Sequence, residues 1–254
     1  MDIKFVYLKN YLYLCTRNRL PINHYNMKKR ILLSLFAIFG LLFASNLNAQ
    51  NSREYIRNSI REWGECKNVA ITKYNGDLAL YGRNGWAGSG LPSGLKRALN
   101  ELNEENKLID DVQITESGEW LVLYGDNGVR WSDAPASLER KIHEFHDRGD
   151  VITSITFEDG GKWILISKEY YIASHTWIQN WLEDGADSYG VLWAACVTSD
   201  AMVAVYERGY KFWGEVPSGL KQALKETSMD VYRVKIAGTS WFFSDGEGNY
   251  RYNM

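Results

Sequence analysis

The sequence is poor in cysteine and proline, with three Cys and four Pro among 254 residues. Only Cys66 and Cys196 lie beyond residue 49, so at most one disulfide can form there and a fold held by several disulfides is excluded. Residues 191–197 around Cys196 are continuously apolar, which leaves two separate buried thiols as the alternative. The hydrophobic content of 45% and charged content of 24% exclude a disordered tail and a collagen.

Positive charge is scarce after the first 49 residues. Residues 1–49 hold seven Lys/Arg and one acidic residue, which leaves 22 basic and 30 acidic residues in the rest of the chain. An acidic surface repels phosphate backbones. We therefore do not expect nucleic acid as a partner.

A hydrophobic run long enough to span a membrane is also absent. The longest apolar stretch, Ile31–Ala44, has 14 residues, whereas a spanning helix needs about 20. It follows a basic triplet and precedes the small residue Ala49, a pattern that predicts a signal peptide at residues 27–49. We therefore predict export to the periplasm or the extracellular space, with no membrane span after cleavage. We interpret residues 1–26 as a gene-model extension upstream of the true start.

An internal repeat is the most informative pattern. The segment Pro92–Lys96 reappears as Pro217–Lys221, 125 residues later, and this distance divides into steps of 43, 43 and 39. A further step of 39 leads to the C-terminal residues. The steps predict a single domain of residues 50–254 that contains five copies, at about residues 66–108, 109–151, 152–190, 191–229 and 230–254.

Each copy predicts three strands and a helix. The first strand alternates, as in Val112–Thr115, while the second is apolar on both faces, as in Trp120–Tyr124, and so is expected between two packed layers. Asn84–Gly85 predicts a two-residue hairpin turn with positive φ angles before the third strand. The helix of the second copy is expected to end at Gly149, after an apolar stripe at Leu138, Ile142 and Phe145.

The two ends of the repeat region distinguish a closed ring from an open stack. The fifth copy stops without a helix, whereas residues 52–63 carry a helical stripe at Ile56, Ile60 and Trp63, with Ser52 as the expected N-cap. We predict that this helix completes the last copy. The predicted fold is a β-rich α+β domain of five βββα repeats closed into a propeller-like ring. The alternative is an open α/β solenoid, which would need polar capping repeats.

The combination of an alternating strand, a Gly turn and a Trp followed by aliphatic residues resembles the first strands of WD40-type propeller blades, and the repeat length is similar too. The fuller pattern, Gly-x-Trp, then Tyr-Gly-x-Asn-Gly, then Pro-x-x-Leu, resembles that of poorly characterised secreted bacterial repeat proteins. This resemblance implies only a fold and export. The chain departs from WD40 blades because it lacks their Gly-His and Trp-Asp signatures and has a helix in place of the outer strand.

Residue patterns that carry chemistry are scarce. The sequence has no Gly-rich phosphate loop and no Gly-x-Ser-x-Gly elbow, and the spacing of His143 and His146 does not match a metalloprotease motif. We therefore predict no cofactor, no metal and no catalytic residue, and we interpret Asp245–Asn249 as a hairpin turn rather than a calcium loop. The alternative function is a hydrolase of pentein-like five-fold architecture, with Cys196 as nucleophile and His175 as base.

Aromatic side chains are the remaining candidates for function. Rings on the third strands could stack on sugars or hold a peptide. The alternative, which a ring repeated once per copy favours, is that they pack under the helices. Residues of the third copy that break the repeat are further candidates. We predict a secreted, non-catalytic binding module for an unknown protein or glycan, with ligand-binding residues Trp86, Trp131, Trp213, Tyr252, Glu169, Tyr170 and Tyr171.

Overall fold

The computed structural model describes residues 51–254. The predicted extension of residues 1–26 and the predicted signal peptide of residues 27–49 lie outside the described residues. Within residues 51–254, no helix combines the length and the hydropathy that a membrane crossing requires.

The described chain is β-rich and contains five repeated three-stranded sheets together with helices. Helix α1 covers residues 51–63. The strands are β1 (Asn68–Ala70), β2 (Asp77–Tyr81), β3 (Gly85–Ser89), β4 (Ile109–Ile114), β5 (Trp120–Tyr124), β6 (Gly128–Ser132), β7 (Ile152–Phe157), β8 (Trp163–Ser167), β9 (Tyr171–Ala173), β10 (Leu192–Val197), β11 (Ala201–Tyr206), β12 (Gly209–Gly214), β13 (Arg233–Ala237), β14 (Ser240–Ser244) and β15 (Tyr250–Asn253). The later helices are α2 (Ser93–Glu104), α3 (Ala136–Arg148), α4 (Thr176–Tyr189) and α5 (Ser218–Glu226).

Every sheet is an antiparallel meander in which each strand pairs with the next one along the chain. The pairing repeats at the spacing of the sequence repeat, because Asn68 pairs with Leu80 in the first sheet and Asp111 pairs with Leu123 in the second. This part of the predicted fold, a β-rich repeat with helices, is therefore confirmed.

The helices begin and end where their flanking residues require it. Helices α2, α3 and α5 each begin directly after a proline whose φ of −52° to −54° suits a helix start. Helix α3 ends at Gly149, which takes the left-handed conformation with φ 79°, and the stripe of Leu138, Ile142 and Phe145 is buried. The predicted stripe and helix end are confirmed.

The hairpin turn of the first copy differs from its prediction. Tyr81 pairs with Gly85, so three residues form the loop, and the positive φ of 53° lies at Gly82 rather than at Asn84 or Gly85. Gly85 is the first residue of β3, where a Cβ atom would overlap the ring of Tyr81. The prediction of a two-residue turn was wrong because this glycine makes room for a side chain and does not supply the turn.

Helix α1 has the predicted buried stripe but not the predicted cap. Residue 51 is already helical, so Ser52 lies inside the helix, where it is buried, and does not act as the N-cap. Ile56 and Ile60 are fully buried, and the ring of Trp63 stacks on Tyr81 with 4.0 Å between centroids.

The apolar core is divided into clusters that lie between consecutive sheets. Helix α2 contributes Leu95 and Leu99 to the cluster between the first and second sheets. Helix α1 contributes its buried stripe to a cluster that also contains Val69 of the first sheet and Phe242 of the last sheet. Helix α1 is therefore placed between the last and first sheets as α2 is placed between the first and second.

The first strands of the five sheets contact one another in sequence. Strand β1 contacts β4, β4 contacts β7, β7 contacts β10 and β10 contacts β13, and β13 also contacts β1. Residues that repeat along the chain are thereby brought side by side, although they are about 40 residues apart.

Candidate functional site

The first strands begin at one end of the sheets and end at the other. We call the end where they begin the bulge end, defined by Lys67, Asp110, Thr153, Trp193 and Tyr232. We call the end where they finish the pocket end, defined by Ile71, Ile114, Phe157, Val197 and Ile236. Each set takes one residue from every copy.

The pocket end contains a cavity of about 290 Å³ to which all five copies contribute. Its five defining apolar residues occupy equivalent positions; Ile114 and Phe157, for example, each pair with the Trp at the start of the next strand. Polar residues of the hairpin turns complete the lining.

The polar groups at the pocket end hold neighbouring copies together. The carboxylate of Glu116 accepts hydrogen bonds from the backbone N–H groups of Lys73 at 2.7 Å and Tyr74 at 3.2 Å. One copy further on, the carboxylate of Asp159 accepts a hydrogen bond of 2.7 Å from the hydroxyl of Ser117. These carboxylates repeat at one register, and each is bonded to the copy that precedes its own, so they join neighbouring copies.

The bulge end is built by an irregularity that recurs in the first strands. The register of β4, β7 and β10 shifts at Asp110, Thr153 and Trp193, each of which is the extra residue of a β-bulge. Lys67 and Tyr232 take the same position in the first and last copies. The N–H of Lys67 donates to the carbonyl of Leu80, which pairs with the next residue, Asn68. The N–H of Tyr232 donates to the carbonyl of Ser244, which pairs with the next residue, Arg233.

The five residues at this position share no side-chain type, unlike the apolar residues of the pocket end. The rings of Trp193 and Tyr232 contact each other with centroids 5.1 Å apart and planes inclined by 33°. Tyr232 remains 38% exposed. The fold keeps this backbone position constant in all five copies, but it does not require one type of side chain there. The side chains, which are Lys, Asp, Thr, Trp and Tyr, are therefore available for binding.

Charged groups also lie at the bulge end. Burial lowers the pKa of Lys67 to about 8, with Arg233 and Arg83 lowering it further while Asp110 opposes the shift. Burial likewise raises the pKa of Asp110 against the effect of Arg233 and Lys67. Burial also raises the pKa of Glu116 at the pocket end, so shifted pKa values occur at both ends of the sheets.

Two separate cavities lie at the bulge end, one lined by Tyr232 and the other by its neighbour Arg233. A cavity of about 590 Å³ is lined by Tyr232 together with Asp230, Asp245 and Arg251, among others. A second cavity of about 370 Å³ is lined by Arg233 and, from other copies, by Asp110, Thr153 and Lys168. The adjacent residues Tyr232 and Arg233 thus face different cavities.

The candidate residues predicted on the third strands lie elsewhere. Trp86, Trp131 and Tyr252 pack against the clusters between sheets and helices. Trp131 and Tyr252 pair with Leu121 and Phe242, the second-strand residues that follow Trp120 and Trp241. Trp213 pairs with Met202, which is equivalent to Trp120 and Trp241, so it lies one residue further along its third strand. It is 39% exposed. Its ring lies 5.3 Å from that of Trp177.

The predicted candidates of the third copy occupy the turn between β8 and β9. Glu169 and Tyr170 are exposed, whereas Tyr171 begins β9 and is partly buried. Among the described residues, neither these three nor the four aromatic residues of the third strands line the cavity of the pocket end or the two of the bulge end. Trp131 lines a different cavity of about 560 Å³, together with Arg130 and Glu101.

The aromatic pair at the bulge end was missed from the sequence. Trp193 was read as part of a continuous buried strand, and its bulge position is not visible in a hydrophobicity pattern. A signal did exist, because the step of 39 residues that relates the last two copies connects Trp193 to Tyr232.

Within residues 51–254, Cys196 and His175 are not in contact, so they do not form a nucleophile and its base. Cys196 is 3% exposed in the cluster between the fourth and fifth sheets, and burial raises the pKa of its thiol to about 11. His175 is exposed before α4, with its ring bonded to the hydroxyl of Ser174 at 2.7 Å. Cys66 and Cys196 are both free thiols in separate clusters, so they do not form a disulfide.

In the turn at Asp245–Asn249, the carboxylate of Asp245 is hydrogen-bonded to the turn itself. Asp245 Oδ1 accepts hydrogen bonds from the backbone N–H groups of Glu247, Gly248 and Asn249. Burial acts to raise the pKa of Asp245, but the bonds from Asn249 and the backbone outweigh it and lower the pKa. Within residues 51–254, no group of three His, Cys, Asp or Glu side chains is arranged to hold a metal ion.

Comparison with protein-family models finds no match for this chain, and comparison with curated proteins finds none either.

Proposed function

We propose that the protein is an exported, non-catalytic binding module, and that its protein or glycan ligand binds at the bulge end of a closed five-fold ring. The observation that carries the proposal is the contact between the partly buried ring of Trp193 and the exposed ring of Tyr232, which lines the 590 Å³ cavity. It lies at a register where the five copies present five different side chains.

Contacts between the two ends of the described chain support the closed ring. The backbone N–H of Cys66 donates to the carbonyl of Gly248 at 3.1 Å, and Arg57 Nη1 donates to the carbonyl of Met254 at 2.7 Å. The contact between β13 and β1, and the position of α1 between the last and first sheets, support the same arrangement. The resemblance to propeller blades in sequence agrees with it.

The signal-peptide pattern of residues 27–49 supports export to the periplasm or the extracellular space. The acidic balance of the remaining chain favours a ligand other than nucleic acid.

The state of Cys196 favours a binding module over the alternative hydrolase. A catalytic cysteine acts as a thiolate and needs an exposed, electropositive setting. The thiol of Cys196 is buried, and its pKa is raised to about 11 by that burial.

A paired-variant binding screen tests the proposal. The full chain and its Trp193→Ala/Tyr232→Ala variant would be applied to arrays of glycans and secreted proteins. The matched control is Trp177→Ala/Trp213→Ala, which removes another contacting, exposed aromatic pair. We expect the wild type and the control to bind the same ligand, and the bulge-end variant to lose it. Binding that survives in the bulge-end variant but not in the control would overturn the assignment of the site.

A further inference from the structure

We infer that the pocket end holds a second binding site, for a primary amine carried on a short aliphatic chain. The chain of this ligand lies on the five apolar residues that define the pocket end, and its ammonium group is held by Glu116 and Asp159. The inference goes beyond the proposed function, since this site lies at the opposite end of the first strands and does not depend on the bulge end.

The floor of the 290 Å³ cavity is suited to a short hydrocarbon chain. Its five apolar residues come from all five copies, and none of them is more than 7% exposed. Each residue therefore presents only a small part of its side chain to the cavity. The volume also lies just below the range of about 300–1,000 Å³ that is usual for drug-sized ligands. The apolar part of a ligand that reaches this floor is accordingly small.

The rim of the same cavity is acidic. The charged residues that line it are three acids and one base, namely Glu116, Glu158, Asp159 and Lys73. The ammonium of Lys73 is already paired with Asp200, a fourth carboxylate, at 3.2 Å. Within residues 51–254, no cationic side chain forms an ion pair with Glu116 or Asp159. The rim therefore carries negative charge that a cationic ligand would balance.

Glu116 and Asp159 are close enough to act on each other. Burial raises the pKa of Glu116 and the charge of Asp159 raises it further, against the backbone hydrogen bonds and the charge of Lys73. Glu116 accepts hydrogen bonds from two backbone N–H groups, and Asp159 accepts them from the N–H and the hydroxyl of Ser117. A carboxylate has about four lone-pair positions, so both groups can accept more. An ammonium beside them offsets their repulsion and donates hydrogen bonds to them.

The side chain of Lys73 is itself an alkylammonium at this rim. It starts in the first copy, passes beside Gly238 of the fifth copy and reaches Asp200 of the fourth copy. A Cβ atom added at Gly238 would lie 3.8 Å from both Cγ and Cε of Lys73, which is ordinary van der Waals contact. The cavity thus already accommodates one group of this chemistry, and the ligand would add a second one beside Glu116 and Asp159.

Three small molecules with the same five-carbon chain test this assignment. Pentylamine, 1-pentanol and hexanoate would be titrated into the full chain and followed by the methyl NMR signals of Ile71, Ile114 and Ile236. We expect pentylamine to bind about fivefold more tightly than 1-pentanol, because hydrogen bonds between charged groups are stronger than those of a neutral hydroxyl. Hexanoate should bind least. Equal affinity for the three, or no binding of pentylamine, would overturn the inference.

The salt dependence of these titrations tests the charge of the rim without any variant. The preference for pentylamine should shrink as salt is added, because the screening length falls from about 10 Å at about 0.1 M to about 3 Å at about 1 M. The affinity for 1-pentanol, which has no charge, should not fall and is the control. A preference that is unchanged at about 1 M salt would contradict the pairing of the ammonium with carboxylates.

Variants connect the preference to the named residues. We expect Glu116→Gln/Asp159→Asn to bind pentylamine no more tightly than 1-pentanol, since both carboxylates become neutral amides. The control Glu104→Gln, at the exposed end of α2, should leave both affinities unchanged. Continued binding of 1-pentanol shows that the double variant is folded with its cavity intact, and a preference that persists in it would overturn the assignment. If the double variant does not fold, the salt titration decides.

Lys73→Met separates the charge of Lys73 from its shape. This variant keeps the aliphatic stem but removes the competing ammonium and leaves Asp200 unpaired. We therefore expect pentylamine to bind about two- to fivefold more tightly than it binds the wild type, in the range of an exposed ion pair. Binding of 1-pentanol should stay the same. Weaker binding of pentylamine in this variant would contradict an acidic site for the ammonium.

Discussion

Lys235 and Asp111 form an ion pair with 2.8 Å between Nζ and Oδ1, although they are 124 residues apart in the chain. Both side chains are buried. The carboxylate of Asp111 also accepts hydrogen bonds from Asn68 Nδ2 at 2.6 Å and from Ser154 Oγ at 3.3 Å. One carboxylate therefore joins the first strands of four sheets.

Removing one partner of this pair should destabilise the whole domain. We expect Lys235→Met to lower the free energy of unfolding by about 3–5 kcal/mol, because it leaves the charge of Asp111 buried and uncompensated. The double variant Asp111→Leu/Lys235→Met should recover much of that loss, since no buried charge remains. Urea denaturation measures both. The exposed control Lys225→Met should change the stability by less than about 0.5 kcal/mol. A single variant as stable as this control would show that the pair contributes little.

The proposed ring closure can be tested at helix α1. We expect Ile60→Asp to lower the melting temperature sharply, because it forfeits roughly 1.5–3 kcal/mol of apolar burial and places a charge between the last and first sheets. In a closed ring, melting should remain a single transition. Asn58→Asp introduces the same charge on the exposed side of α1 and should melt close to the wild type.

An open stack predicts a different result for the same variant. Only the copy next to α1 would then fray, while the rest of the chain would melt at the wild-type temperature. Hydrogen exchange on the folded Ile60→Asp variant separates the two cases. Loss of protection confined to the first copy would rule out the ring.

Both cysteines should be unreactive in the folded protein. Burial raises the pKa of the thiol to about 12 for Cys66 and to about 11 for Cys196, so neither forms a thiolate at neutral pH. Mass spectrometry should find no iodoacetamide adduct on Cys66 or Cys196 before unfolding in urea and adducts on both afterwards, while an exposed Ser188→Cys reacts at once. Rapid labelling of Cys196 in the native state would instead support the hydrolase alternative.

Lys67 should make stability depend on alkaline pH. Burial lowers its pKa to about 8 from an ordinary 10.5. Between these values the unfolded chain holds more protons than the folded one, so the contribution of Lys67 to stability rises with pH, by about 1.4 kcal/mol for each pKa unit at most. The difference in unfolding free energy between the wild type and Lys67→Met should therefore be flat below pH 8 and rise from pH 8 towards 10. Parallel curves over that range would contradict the burial of a charged Lys67.

Local patterns predicted the helices well and the turns less well. The stripe of Leu138, Ile142 and Phe145 and the end of α3 at Gly149 follow from periodicity and capping within one helix. Gly85 was misread because its role depends on the ring of Tyr81 across the hairpin, a contact between strands that composition does not show.

The sequence by itself determined the repeat, its five copies and the strand and helix pattern of each copy. These depend on spacings of two, three or four residues and on a period near 40 residues, all of which are visible in the sequence. Only the tertiary structure decided which residues form the proposed site. The bulges turn Asp110, Thr153 and Trp193 towards one end, and the packing of first strand against first strand brings Trp193 to Tyr232 and Asp111 to Lys235. Such contacts join residues 39 and 124 positions apart, and their geometry arises from the packing of whole sheets, so no local pattern contains it.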